Sequence, residues 1–152
     1  MSEYRAPVRE MLFAIRDLAE LPRITALPGC GEVTPDLVEA VLEEAAQLAG
    51  EVIAPTNEAG DREGTRVEDG RVVVPESFTA AYRQYAAGGW AGMTAPGEFG
   101  GQDLPFLLGV AIEEMWCAAN LAWSLCPLLT AGAARAILAH ADPALQQVYL
   151  PP

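Results

Sequence analysis

Lysine is missing from this chain of 152 residues, and its nine basic residues are all arginine. Set against 21 acidic residues they leave a net charge of −12. Nothing here could neutralise a run of phosphates, which excludes a nucleic-acid partner and disfavours an anionic membrane surface. Histidine occurs once, as His140. With no Cys pair to join it, no metal site is expected. The three cysteines, Cys30, Cys117 and Cys126, make no CxxC spacing, and their odd number leaves one unpaired. That usage reads as a reduced, cytoplasmic compartment with thiols as small apolar fillers. Glu3, Arg5, Arg9 and Glu10 interrupt the apolar residues at the N-terminus, so no secretory leader is expected. Internal repeats and low-complexity tracts are also absent. Charged residues are only 20% of the chain and hydrophobic ones 51%. A lone domain of this size needs more polar surface than that. The excess implies an apolar face covered by something outside these residues.

What is present reads as helix. Val8, Met11, Leu12, Ile15, Leu18 and Ala19 recur at helical spacing across 6–20, with Pro7 suited to a first turn and Arg16 placed to pair with Glu20. Residues 22–33 read as a Pro/Gly connector. A second helix opens with Thr34 as N-cap and Pro35 in its first turn. Leu37, Val38, Val41, Leu42, Ala45, Leu48, Ala49 and Val52 form its stripe, and Glu39, Glu43 and Glu44 a solvated face. Pro55 is expected to end it, with a polar loop over 54–66. Asp69-Gly70 between short β-prone runs predicts a hairpin near 66–74. A third helix follows Pro75, with Phe78, Ala81, Tyr82 and Tyr85 on one face and Gly88 or Gly89 as its left-handed cap.

The stretch GGWAGMTAPGEFGGQDLP, residues 88–105, then acts as a shaped connector. A fourth helix starts at Pro105 and is apolar nearly all round except for Glu113-Glu114. A fifth spans about Leu121 to Ala139 and contains Pro127, where a kink is expected, with Ser124 or Thr130 available to satisfy freed groups. Asp142-Pro143 caps a sixth. The fold class is therefore all-α: a bundle of about six helices with one short β-hairpin.

Three functional readings fail on their own chemistry. Met115 to Ala134 carries no charge over a membrane-spanning length, but Asn120, Pro127 and Gly132 interrupt it and no cationic flank sets an orientation. No membrane span is expected. Gly97-Glu98-Phe99-Gly100-Gly101 precedes a helix but matches neither phosphate-binding glycine pattern, and Glu98 and Asp103 oppose an anion. Cys117 and Cys126 lie in apolar runs with no base pinned nearby. Glu113 and Glu114 point about 100° apart on a helix and do not form an acid pair. No residue of the chain is nominated as catalytic.

Three segments, in order and spacing, resemble the N-terminal helical domain of flavin-dependent acyl-CoA dehydrogenases. They are Ala54-Pro55-Thr56-Asn57-Glu58 with Gly60-Asp61; the loop 88–105, similar to the family's Gly-Trp…Pro-x-x-x-Gly-Gly-x-x-x-Pro pattern; and Glu113-Glu114 through Asn120, Pro127-Leu128-Leu129-Thr130-Ala131-Gly132 and Gln146-Gln147-Val148-Tyr149-Leu150-Pro151. The DGRVVVPESF segment and the extra N-terminal helix look like one subgroup of that family. The resemblance implies an N-terminal extension over 1–33, and over 34–152 a helical domain truncated before a β-domain and a C-terminal helical bundle. In the family those two parts hold most of the FAD and supply the carboxylate base, so this stretch is expected to bind no FAD and to be inactive alone. It also implies an acyl-CoA substrate, with Ser124, Pro127, Leu128 and Ala131 in one wall of the acyl cavity. Pro127 departs from many members and alters the cavity's shape; Trp123 would shorten it if turned inward. The helices over 104–139 would be covered by the missing domains or by a homo-oligomer. The second reading is a non-enzymatic interaction module derived from that fold.

Overall fold

A computed structural model describes residues 4–30 and 32–151. The architecture is a mostly α bundle with one two-stranded hairpin. Helix α1 (Val8–Phe13) runs into a π-helical stretch, Ala14–Leu18, and α2 (Leu21–Thr25) follows. Helix α3 (Pro35–Gln47) continues through a second π stretch, Leu48–Ile53, into α4 (Pro55–Glu63). Strands β1 (Arg66–Glu68) and β2 (Arg71–Val73) precede α5 (Glu76–Ala87). Helices α6 (Phe106–Ala119), α7 (Leu121–His140) and α8 (Pro143–Tyr149) complete the chain.

The α3–α4 unit is the centre of the bundle. Val38, Leu42, Ala45, Ala49 and Ile53 are almost wholly buried, and α1, α5 and α6 pack around them. Thr34 caps α3 as the sequence requires, its hydroxyl accepting from the Leu37 amide at 3.1 Å. Pro55 does not end this run. It occupies the first turn of α4, where its missing N–H costs nothing. The i→i−5 bond from the Ala54 amide to the Ala49 carbonyl, 2.8 Å, widens the turn ahead of it. Residues 55–63 are therefore helix rather than polar loop, and Pro22 plays the same part in α2 within the supposed connector.

The first π stretch changes another expectation. Met11, Leu12 and Ile15 are buried, but the wide turn at 14–18 swings Leu18 out to 71% exposure. Arg16 passes over Glu20 and reaches Glu39 on α3 at 2.7 Å, while Glu20 pairs with Arg23. The hairpin has the predicted turn: Asp69 and Gly70 are both left-handed, and Val67 faces Val72 across the ribbon.

Helix α7 runs through Pro127 without a break. The Thr130 hydroxyl donates to the Cys126 carbonyl and the Ser124 hydroxyl to the Leu121 carbonyl, so neither takes the Trp123 carbonyl that proline leaves unbonded. By length and composition α7 could cross a membrane. Within this chain only its Trp123, Ser124 and Pro127 are buried, and Leu121, Leu125 and Leu129 form an exposed apolar ridge. Gly132, inside α7, has open space where a side chain would start. Gly132→Ala is therefore expected to stabilise the fold by about 0.5–1 kcal/mol in thermal unfolding.

Candidate functional site

The loop over 88–105 is built as a self-bonded knot. Two short 3₁₀ turns, Trp90–Gly92 and Gly97–Phe99, fold it back on itself. The amide of Gly101 donates to the Pro96 carbonyl at 3.0 Å, that of Asp103 to Ala95 at 3.1 Å and that of Leu104 to Met93 at 2.9 Å. The Asp103 carboxylate accepts from the Gly97 amide at 3.0 Å, and the Gln102 side chain donates to the Gly89 carbonyl at 3.0 Å. Gly89 takes the left-handed position that turns the chain out of α5. Amides spent in this way do not form an anion cradle.

The knot rests on α6 and α7, and a groove opens between the three. From α6 come Phe106, Gly109, Glu113 and Trp116, at spacings of three and four that put them on one face. From α7 come Ser124, Pro127, Leu128, Ala131 and Arg135, again one face. Ala91, Met93 and Thr94 of the knot form the floor, and Trp90 of the knot and Tyr85 of α5 stand at one end. A Cβ on Gly109 would lie 2.7 Å from Thr94 Cγ2, so the absence of a side chain lets the knot approach α6. The two helices are joined through Asn120 alone and run antiparallel. Phe106, at the start of α6, therefore meets Arg135, late in α7, with the guanidinium 4.8 Å from the ring centroid. From Ser124 to Arg135 the α7 wall is about 16 Å long at the rise of an α-helix.

One end of the groove is aromatic and closed. Trp90 meets Trp116 edge-on with centroids 5.5 Å apart, and Tyr85 meets Trp116 at 6.2 Å and Trp123 at 5.6 Å. Trp123 turns away from the groove: its indole N–H donates to the Phe78 carbonyl of α5 at 3.1 Å, and it stands in the core. Burial, with smaller contributions from Tyr82 and Glu113, pushes the Tyr85 phenol up to about 12. An unfolded tyrosine loses its proton near pH 10, so Tyr85 contributes stability below that pH which is lost as pH rises towards 12. Replacing it with Phe is expected to flatten the fall in unfolding free energy between pH 10 and 12, measured by denaturant titration.

The start of α7 is fixed by a buried polar lock. The Asn120 side-chain oxygen accepts from the Trp123 amide at 3.0 Å, capping the helix. Its amide nitrogen donates to Thr56 Oγ1 at 2.8 Å, and that hydroxyl donates to the Ile53 carbonyl at 2.6 Å. Asn120 is 1% exposed and Thr56 5%. A long-range bond between residues 64 apart in sequence thus ties the groove's α7 wall to the central helix.

Ser124, Pro127, Leu128 and Ala131 all line this groove, the first two buried and the others half-buried. The Ser124 hydroxyl donates to the Leu121 carbonyl at 2.9 Å and also lies 3.4 Å from Cys117 Sγ. His140 sits at the far end of α7, about 24 Å along the helix from it. Cys126 is exposed, so it is not the filler its sequence context suggested. Glu114 reaches solvent as expected. Glu113 instead is half-buried on the groove wall, and neither makes an ion pair among the described residues. Among the described residues no group of three or more His, Cys, Asp or Glu is placed to hold a metal ion. Sequence reasoning missed the α6 wall and the aromatic end. The spacing of Phe106, Gly109, Glu113 and Trp116 was the available signal, and the near-uniform apolarity of α6 hid it.

The chain belongs to the acyl-CoA dehydrogenase family, and the glycine knot and the α6–α7 groove lie within the part of it that the family model matches. The family model described as "Acyl-CoA dehydrogenase, N-terminal domain" matches residues 35–152. The chain is also similar to the 3-methylmercaptopropionyl-CoA dehydrogenase of Ruegeria pomeroyi (strain ATCC 700808 / DSM 15171 / DSS-3), at 42% identity over 147 residues. That match takes in 97% of this chain and 25% of the relative, so the chain spans about a quarter of the relative's length.

Proposed function

We propose that this domain supplies one wall of the acyl cavity in an enzyme that desaturates acyl-CoA thioesters between Cα and Cβ. The observation that carries the reading is the groove itself: Ser124, Pro127, Leu128 and Ala131 face one space with an apolar floor, on a chain of this family. Their work is to receive and orient the acyl chain and to keep water from it.

Acyl-CoA dehydrogenases generally use FAD, which when bound accepts the β-hydride. The described residues do not fit a flavin by themselves. Most of the knot's amides are bonded within the knot, and Glu98 and Asp103 beside them oppose a diphosphate. We assign the flavin and the base for the α-proton to the rest of such an enzyme; the relative, of which this chain spans about a quarter, has the length to supply them. The same region covers the exposed Leu121–Leu125–Leu129 ridge. The isolated domain turns nothing over.

The relative's name makes 3-methylmercaptopropionyl-CoA the first substrate to assay. The dehydrogenase that carries this domain is expected to form the 2-enoyl-CoA from a short acyl-CoA with an artificial electron acceptor. A purified, flavin-loaded protein that forms no enoyl-CoA from any acyl-CoA would refute the proposal and leave an interaction module in its place.

A further inference from the structure

The N-terminal extension, described over residues 4–30, lies outside the residues 35–152 that the family model matches. It also differs in charge from everything after it. Four arginines and three acids fall within 4–30, against five arginines and seventeen acids within 32–152. The negative charge of the chain therefore belongs to the residues after 31, and two copies approaching through those residues repel each other. The extension is the face on which like copies meet at least cost.

Its outer side carries two charges without partners. Arg9 and Asp17 are exposed and make no ion pair among the described residues. Phe13 stands midway between them in sequence and is 57% exposed. All three border one shallow hollow of about 320 Å³, completed by Leu12 and the Arg16–Glu39 pair. At the rise of an α-helix, Arg9 and Asp17 lie about 12 Å apart along the axis, each about 6 Å from Phe13. A cation and a carboxylate set equally on either side of an aromatic ring are self-complementary. A two-fold rotation about Phe13 brings Arg9 onto Asp17 and Asp17 onto Arg9, as an isologous contact requires.

From this we infer that the N-terminal extension is a two-fold contact surface for a second copy of this chain. The two α1 helices run antiparallel across it. Phe13 of each copy enters the hollow of the other, and Arg9 of each pairs with Asp17 of the other. The surface is small for a protein interface, so the contact is of the weak, exchanging kind. It uses no residue of the groove or of the Leu121–Leu125–Leu129 ridge and stands independently of the cavity reading.

Sedimentation velocity of the 152-residue chain, over a concentration series reaching millimolar, tests the contact. The wild type is expected to pass from monomer to dimer. Arg9→Glu opposes like charges at both ends of the contact and is expected to weaken association by about tenfold or more, and Asp17→Arg should do the same. An equimolar mixture of the two variants is expected to recover the wild-type affinity, because opposite charges then meet at both ends. The chain carrying both changes should recover it as well. Both positions are exposed, so the thermal midpoint should hold in every variant. A wild type that stays monomeric would overturn the inference, as would a mixture that stays monomeric. Single variants that associate as the wild type does would overturn it too, and would move the association to the α7 ridge.

Discussion

Asn120→Ala is expected to lower the unfolding free energy by about 2–4 kcal/mol, the combined cost of a lost helix cap and of a buried acceptor left without its donor. Both groups lie out of reach of water: Asn120 is 1% exposed and Thr56 5%. Removing the side chain orphans the Trp123 amide and leaves Thr56 Oγ1 unbonded on its acceptor side. Asn120→Ser separates the two terms. Serine can still cap the helix but cannot span to Thr56, so it should recover about 1 kcal/mol. Urea titration of the three proteins measures both steps. Equal midpoints for wild type and Asn120→Ala would mean that the lock contributes nothing to holding α7 on the central helix.

Gly101→Ala is expected to be more damaging than its single methyl suggests. A Cβ at this position would stand 2.0 Å from the Ala95 carbonyl oxygen, 2.3 Å from its carbon and 2.8 Å from its Cβ. Two of those atoms are backbone, held by the bond from Asp103 to Ala95 at 3.1 Å, while Gly101 itself bonds to Pro96 at 3.0 Å. No rotamer change relieves the contact, and the knot has to open. Overpacking of this kind costs about 3 kcal/mol, which lowers the thermal midpoint by about 6–12 °C in a chain of this size. Gly29→Ala is the control. Gly29 has φ +85° but open space around it, so only the left-handed penalty of about 1–2 kcal/mol applies. If Gly101→Ala were no worse than Gly29→Ala, the knot would be looser than its hydrogen bonds indicate.

The parts of this fold that follow from local chemistry were legible in the sequence. Thr34-Pro35 and Asp142-Pro143 cap helices where the residues predict, with the Asp142 carboxylate accepting from the amides of Ala144 and Leu145. Asp69-Gly70 turns a hairpin, and the stretch after Gly88 connects rather than spans. The departures have separate physical causes. Pro55 reads as a helix end and Pro22 as the start of a connector because a proline inside a pattern is ambiguous: the same ring that ends one helix is preorganised for the first turn of the next. A π stretch has no compositional signature, so the swing of Leu18 into solvent and the pairing of Arg16 with Glu39 were not readable. The groove was half legible. Its α7 wall came from the resemblance of Pro127 to Gly132 and their neighbours to a family pattern. Its α6 wall, its aromatic end and the exposed Arg135 depend on which faces of two apolar helices meet, which only packing decides.

The account turns on whether the α6–α7 groove receives the acyl chain, and Ala131 tests it most directly. Ala131 is half-buried on the groove wall and takes no part in the Asn120 lock or the aromatic end. Ala131→Phe should fill the groove and leave the knot intact. In the flavin-loaded protein that carries this domain, the proposal predicts that a short acyl-CoA titrated anaerobically bleaches the wild-type flavin. The variant should need at least about tenfold more for half-bleaching, while dithionite reduces both alike. Half-bleaching at the same acyl-CoA concentration in the two proteins would contradict the account.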